Sequence, residues 1–272
     1  MIFLILGSSG FIGKNLCKYL KSHGHDVLEF DIKNNRNQDL RITENKKLIE
    51  SIDCCDFIFF LAFDVGGAKY LSKTDKNFDF ISNNLKIINN TFEIINSSKK
   101  EFVFISSYQV YKSNHSYSVT KKIGEHFTHS LKGLIVRLYN VYGDEDIGLR
   151  SHVIPDLIYQ AISSKKISLR TNGKEKRQFL HIEDCCKGLY SIFLNYHSIL
   201  KSSYIIDLTS FEWISIRSIA KNISKKLKCE LEFSDKQADF LKQPEPNKLI
   251  LNYWNPQIKI NMGIDTIINR YK

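Results

Sequence analysis

The chain has 272 residues, 43% of them hydrophobic, and its 39 Lys and Arg against 29 Asp and Glu give a net charge of +10. That length and apolar content support a sizeable core plus a small lobe, and exclude a disordered polyelectrolyte or a disulfide-stapled miniature fold. With no apolar run near the roughly 18 residues of a membrane span, no basic flank of a signal peptide and no aromatic-interleaved basic stripe, a cytoplasmic protein without membrane or nucleic-acid partners is expected.

Ile2–Leu6 reads as a buried strand running into Gly7-Ser8-Ser9-Gly10-Phe11-Ile12-Gly13, with a helix predicted over about 11–22. Strand, glycine turn and helix in that order form a dinucleotide site. Gly7 permits the tight turn, Gly10 lets the backbone approach a pyrophosphate, and Gly13 lets the helix pack on the strand. The helix N-terminus offers unpaired N–H groups and a positive dipole. A second strand, 27–31, ends in Asp31, which follows Gly13 by 18 residues, close to the spacing of a carboxylate that accepts from the ribose hydroxyls. Asp31 favours NAD because it repels a 2′-phosphate, while Lys33 and Arg36 keep NADP open.

A helix near 44–51, a strand near 57–62, a long helix over 75–98, a strand over 102–106, a helix over 117–131 and a strand over 134–138 continue the alternation. Such alternation predicts the α/β class, a doubly wound parallel sheet of Rossmann type covered on both faces. Ligands then bind beyond the carboxyl ends of the strands, where Gly7, Asp31, Ser107 and Asn140 fall. Ser107 ends the apolar run Phe102–Ile105, and Tyr117 and Lys121 lie four residues apart on one face of the following helix. A phenol ordinarily ionises near pH ~10, so a base near neutrality needs about three pKa units of help, or roughly 4 kcal/mol. A neighbouring ammonium and an oxidised nicotinamide ring supply charge of the right sign, and the Ser107 hydroxyl is placed to bond the same substrate oxygen.

From about Ser151 the pattern changes to a helix over 154–164, a strand over 167–170 and a glycine loop at Gly173. Cys17, Cys54, Cys55, Cys185, Cys186 and Cys229 lack Cys-x-x-Cys spacing, so reduced thiols and no metal site are expected.

With the glycine turn, Asp31 and the Ser/Tyr/Lys set in this order, the chain resembles the extended short-chain dehydrogenase/reductases, and within them the NAD-dependent epimerase/dehydratase family acting on nucleotide sugars. The resemblance implies a dinucleotide-binding domain of residues 1–150 plus about 178–208, and a C-terminal substrate lobe of about 151–177 plus 209–272. It implies cofactor contacts from Gly7, Gly10, Phe11, Ile12, Gly13 and Asp31, from Asp39 and Leu40 at the adenine, from Leu61 and Ala62 after a strand with Phe60 where a histidine is usual, and from Tyr117 and Lys121. Asn84 matches a recurrent family asparagine, and a polar helix face explains it equally well. Arg137–Gly143 resembles the segment whose asparagine, here Asn140, contacts the nucleotide-sugar diphosphate. Arg177–Asp184 resembles the segment whose arginine pairs with that diphosphate, a task suited to the guanidinium fork. The family implies a homodimer through the two helices over 75–98 and 117–131.

The surroundings of Ser107 narrow the reaction. The family's 4,6-dehydratases carry an Asp-Glu pair after the serine, whereas Tyr108 and Gln109 stand here and cannot act as carboxylates. Epimerising reductases resembling GDP-fucose synthase have a cysteine where this chain has Gln109, and a histidine in a stretch matched by Ser151-His152-Val153-Ile154-Pro155. Val65-Gly66-Gly67 resembles the same group's loop. His152 therefore reads either as a substrate-binding residue or as a surface histidine at a helix entry. Two reactions follow: a nucleotide-sugar 4-epimerase with retained NAD, which Asp31 favours, and a 4-keto-sugar reductase with exchanging NAD(P)H, which Val65–Gly67 and Ser151–Pro155 favour. A non-catalytic NAD(P)-binding regulator on the same fold would be expected to have lost the tyrosine or the lysine, and both are present.

Overall fold

Continuous apolar runs become buried strands and amphipathic stretches become helices laid across them. The computed structural model describes residues 1–111, 115–237 and 244–271. In chain order its elements are β1 (Ile2–Leu6), α1 (Phe11–Ser22), β2 (Asp26–Phe30), α2 (Lys46–Cys54), β3 (Phe57–Phe60), α3 (Ala68–Thr74), α4 (Phe78–Ser98), β4 (Phe102–Ser107), α5 (Ser116–Ser130) and β5 (Leu134–Leu138). There follow β6 (Asn140–Tyr142), α6 (Val153–Ser163), β7 (Lys166–Ser168), β8 (Lys176–His181), α7 (Ile182–Leu194), α8 (Tyr196–Ser202), β9 (Ile205–Leu208), β10 (Trp213–Ser215), α9 (Ile216–Leu227), β11 (Glu230–Glu232) and α10 (Ile260–Asn269).

Six strands form one parallel sheet in the order β2-β1-β3-β4-β5-β9. The chain steps from β1 outward to β2, then returns to the other side of β1 as β3, so the strand order reverses between β1 and β3. A crevice at such a switch point is where doubly wound sheets bind ligands. One sheet face packs Phe3, Ile5 and Val103 against Leu16 and Leu20 of α1 and Cys185 and Leu189 of α7. The other packs Leu4, Phe60 and Phe104 against Leu48 of α2 and Ile88 and Phe92 of α4. Gly124 makes α5's close approach to the sheet possible, since a Cβ there would lie 2.4 Å from the Phe104 ring. A separate cluster joins α6, α9 and α10 in the small lobe through Ile154, Ile158, Ile219, Ile223 and Ile264. There β8 pairs with β6 and β10, and β7 with β11.

The doubly wound expectation holds, with local differences. The helix predicted over 75–98 begins at Phe78, because Lys76 takes a left-handed φ of 61° and Asn77 caps the helix by accepting from the Phe80 N–H at 2.9 Å, while a separate helix, α3, ends at Thr74. The helix predicted over 44–51 begins at Lys46, since Asn45 accepts from the Leu48 N–H at 3.1 Å. The strand predicted over 57–62 ends at Phe60, because Leu61 and Ala62 turn past Gly7. Among the described residues no helix is long and apolar enough to cross a membrane.

Candidate active site

The glycine turn leaves β1 with Gly7 at a φ of +91°, and a Cβ there would lie 2.7 Å from the Ala62 nitrogen. A Cβ on Gly13 would lie 2.1 Å from the Gly7 carbonyl oxygen, so glycine alone lets α1 start this close to the strand. Gly10 occupies the N-cap of α1 without a side-chain cap, which leaves the first-turn N–H groups free of any side-chain acceptor. Asp31, just past β2, accepts from the Ser9 N–H at 3.1 Å and the Lys33 N–H at 2.9 Å, so the acid sits directly against the turn. These features suit a dinucleotide: a helix terminus open to a pyrophosphate, and a carboxylate alongside for a ribose. Ile12 packs on the core below. Phe11 projects toward the small lobe, its ring 6.0 Å from that of His152.

Asp39 is held by Arg41, whose Nε and Nη2 donate to its carboxylate at 2.9 and 2.7 Å. That contact keeps the Asp39 carboxyl below its ordinary range. Leu40 buries its side chain in the core, leaving only its backbone for a ligand.

Ser107 ends β4 buried at the carboxyl edge of the sheet, close enough to influence the hydroxyl of Tyr117, which is half-buried in the first turn of α5. Lys121, one turn further on, is buried and donates to the Ile105 carbonyl at 2.6 Å. Burial pushes the Tyr117 phenol well above its ordinary value, with the nearby Ser107 hydroxyl opposing. The same burial pushes Lys121 down to about 7, with Glu125 opposing. The Lys121 charge is directed at the Ile105 carbonyl and at the face of the Phe63 ring, 3.7 Å away.

Asn140 opens β6 and donates to the Gln178 carbonyl at 3.0 Å, and its Oδ1 faces the Tyr108 hydroxyl at 3.4 Å. Burial raises the Tyr108 pKa, with the Arg177 charge and the Asn140 bond opposing, so Arg177 stands near enough to act on the hydroxyl that Asn140 faces. Phe179, two residues after Arg177 on β8 and opposite Asn140 in register, lines a cavity of about 360 Å³ with Trp213, Pro256 and Lys259. His152 precedes α6, and both its N–H and its Nδ1 meet the carboxylate of Glu145.

Several residues of this neighbourhood were not singled out from the sequence. Glu125 continues the face of Tyr117 and Lys121 by one more turn, a spacing that marks it; it binds Arg137 through two bonds of 2.8 and 2.7 Å and accepts from Ser106 at 2.6 Å. Arg150 reaches across to the Val65 carbonyl at 2.6 Å and to Asp64 at 2.9 Å. Asn84, which the family resemblance did single out, is buried rather than on a polar face, and it clamps the backbone of Asp64 from both sides at 2.8 and 3.2 Å. Gly67 lies so close to the small lobe that a Cβ would meet the Ser151 oxygen at 2.0 Å. Val65–Gly67 and Ser151–His152, read separately in the sequence, are one interlocked structure.

A parallel sheet with a glycine turn at one strand end and hydroxyl groups converging at another defines a Rossmann-type, dinucleotide-dependent enzyme of the extended short-chain dehydrogenase/reductase class. The chain belongs to the NAD dependent epimerase/dehydratase family, whose profile matches residues 3–206, and is an enzyme of that family. It is 27% identical over 282 aligned residues to the uncharacterized UDP-glucose epimerase YtcB of Bacillus subtilis (strain 168), covering 88% of this chain and 86% of that one. It is 25% identical to a UDP-N-acetyl-alpha-D-glucosaminuronate decarboxylase of Bacillus cytotoxicus, covering 81% of this chain and 78% of the relative. Its fold matches a GDP-6-OMe-4-keto-L-xylo-heptose reductase from C. jejuni with a TM-score of 0.85 at 18% identity, covering 99% and 97% of the two chains. It also matches a UDP-glucose 4-epimerase of Thermotoga maritima with a TM-score of 0.81 at 13% identity, covering 100% and 98%.

Proposed function

We propose that this enzyme transfers hydride at C4 of a nucleotide-diphosphate sugar, acting as a 4-epimerase that retains its NAD. The observation that carries the hydride-transfer reading is the grouping of a buried Ser107, a half-buried Tyr117 and a buried Lys121 at the carboxyl edge of the sheet. The bound dinucleotide supplies the hydride acceptor and donor. Tyr117 exchanges the proton of the C4 hydroxyl, and Ser107 holds both the phenol and the sugar oxygen. In the free chain burial keeps the phenol protonated, so a base at Tyr117 requires positive charge arriving with the oxidised nicotinamide. Arg177 and Asn140 are assigned to the diphosphate, and the cavity beyond Phe179 to the nucleoside, which must lie further along the same strand face. Asp31 favours the epimerase, since a carboxylate beside the glycine turn selects a ribose diol over a 2′-phosphate.

The 4-keto-sugar reductase is the second reading, favoured by the interlocked Val65–Gly67 and Ser151–His152 segments. One experiment separates the two. Unfolding the purified protein and identifying released nucleotide should yield stoichiometric NAD for the epimerase, whereas an empty site that binds NADPH would favour the reductase. Arg177→Ala should raise the KM for nucleotide sugar about tenfold and leave NAD affinity unchanged; equal effects on both would discredit the diphosphate assignment. A homodimer through α4 and α5 belongs to the same reading, and Leu85 and Val119 are exposed on those helices.

A further inference from the structure

Lys121 is buried, yet its Nζ has no carboxylate within bonding distance among the described residues. Its neighbours are the Ile105 carbonyl and two aromatic rings, Phe63 with its centroid 3.7 Å away and Phe104 at 4.8 Å. The nearest acid on its own helix, Glu125, spends both oxygens on Arg137 and Ser106. The face of an aromatic ring carries negative potential, and within about 6 Å of the centroid it attracts a cation, most strongly when water is excluded. Phe63 follows β3 at the carboxyl edge, and its ring also stands almost perpendicular to that of Tyr117, centroids 5.9 Å apart at 84°. One side chain thus touches both members of the Tyr117/Lys121 pair.

We infer that Phe63 is a positioning residue for that pair: its ring face stands in for a counter-ion that keeps the Lys121 ammonium charged and aimed, while its edge seats the Tyr117 ring. This rests on the roles proposed above for Tyr117 and Lys121. The titratable groups around Lys121 are Tyr117 and Glu125 on α5, Tyr108 beyond β4, Arg137 on β5 and Asp64 beside Phe63. Arg137 is bound to Glu125 and Asp64 to Arg150, and the buried face of α4 carries no charged residue.

The test uses the cofactor-free chain with isotope-labelled lysine side chains, Lys121 being assigned by the signal lost in Lys121→Arg. Phe63→Leu keeps the apolar volume and removes the ring; the Lys121 midpoint should fall by about 0.4 to 1.5 pKa units, whereas Phe63→Tyr should titrate like the wild type. NADH affinity, read by its fluorescence, should weaken several-fold in Phe63→Leu and recover in Phe63→Tyr. If Phe63→Leu fails to fold, Phe63→Met carries the same expectation. An unmoved midpoint overturns the inference, as does tighter NADH binding, which would mean that the ring blocks the cofactor. Since the titration needs no turnover, a Phe63-dependent shift in a chain inert toward every nucleotide sugar would sink the proposed reaction and leave this inference standing.

Discussion

Burial drives Tyr117 and Lys121 toward their neutral forms together, raising the phenol and lowering the ammonium. The four-residue spacing that marked the pair in the sequence is realised in α5, but the direction of the lysine is not a property of that spacing. Tyr117→Phe removes a single oxygen, so cofactor binding should survive while turnover falls by about 10²- to 10⁴-fold; undiminished turnover would remove Tyr117 from the chemistry. Lys121 carries a pH signature of its own. Below its folded value of about 7 it is charged in both folded and unfolded chains, and folding bears the full cost of desolvation. As pH rises from there toward the ordinary 10.5, only the unfolded chain keeps the proton, and stability increases. Lys121→Met should therefore stabilise the cofactor-free protein, on the order of 2 kcal/mol at pH 6, with the gain shrinking toward pH 10 in urea denaturation. A gain that grows with pH would contradict the assignment.

At the scale of elements, apolar runs and glycines marked β1, β3, β4 and β5 to within a residue or two, because strands buried on both faces leave an unbroken hydrophobic signature. Boundaries set by capping were less legible: Asn45 and Asn77 are two of many asparagines, and only the folded chain shows which accept from a helix N–H. The short strands β6, β10 and β11 were not legible, since three residues carry no periodicity and pair only once the lobe has formed. The interlock between the loop after β3 and the start of α6 makes a sharp claim about one glycine. Gly67→Ala places a methyl carbon on the Ser151 carbonyl, so the loop must withdraw from the lobe. A loss of about 1 to 3 kcal/mol in stability and faster proteolysis near residues 64–67 should follow; a variant as stable and resistant as the wild type would show the interlock to be loose.

On the scale of the whole molecule, the six-stranded parallel sheet brings Gly7, Asp31 and Ser107 to one edge, while β8, paired with β6 in a second sheet, carries Arg177. Alternating strands and helices implied a doubly wound sheet, and the resemblance around Gly7, Tyr117 and Arg177 implied the family; the fold and the family match bear out both. Leu85 and Val119 stay exposed on α4 and α5, apolar positions that a second copy would cover. Replacing both by Asp should convert the proposed dimer to monomer in sedimentation velocity while the far-ultraviolet spectrum stays unchanged. A wild-type chain already monomeric at micromolar concentration would refute the proposed interface.

By itself the sequence determined the chemistry available to this protein: the glycines a dinucleotide turn demands, an acid at the next strand end, and a phenol, an amine and a hydroxyl in the order of one enzyme family. These are legible because each depends on local geometry, a turn, a strand end or one face of a helix. Tertiary structure alone decided what surrounds them, including the ring beneath the Lys121 ammonium, the Tyr108 hydroxyl facing Asn140, and the carboxylate that holds His152. Those neighbours come from segments remote in the chain, and solvent exclusion, which sets the strength of every charge in the site, exists only when those segments pack together.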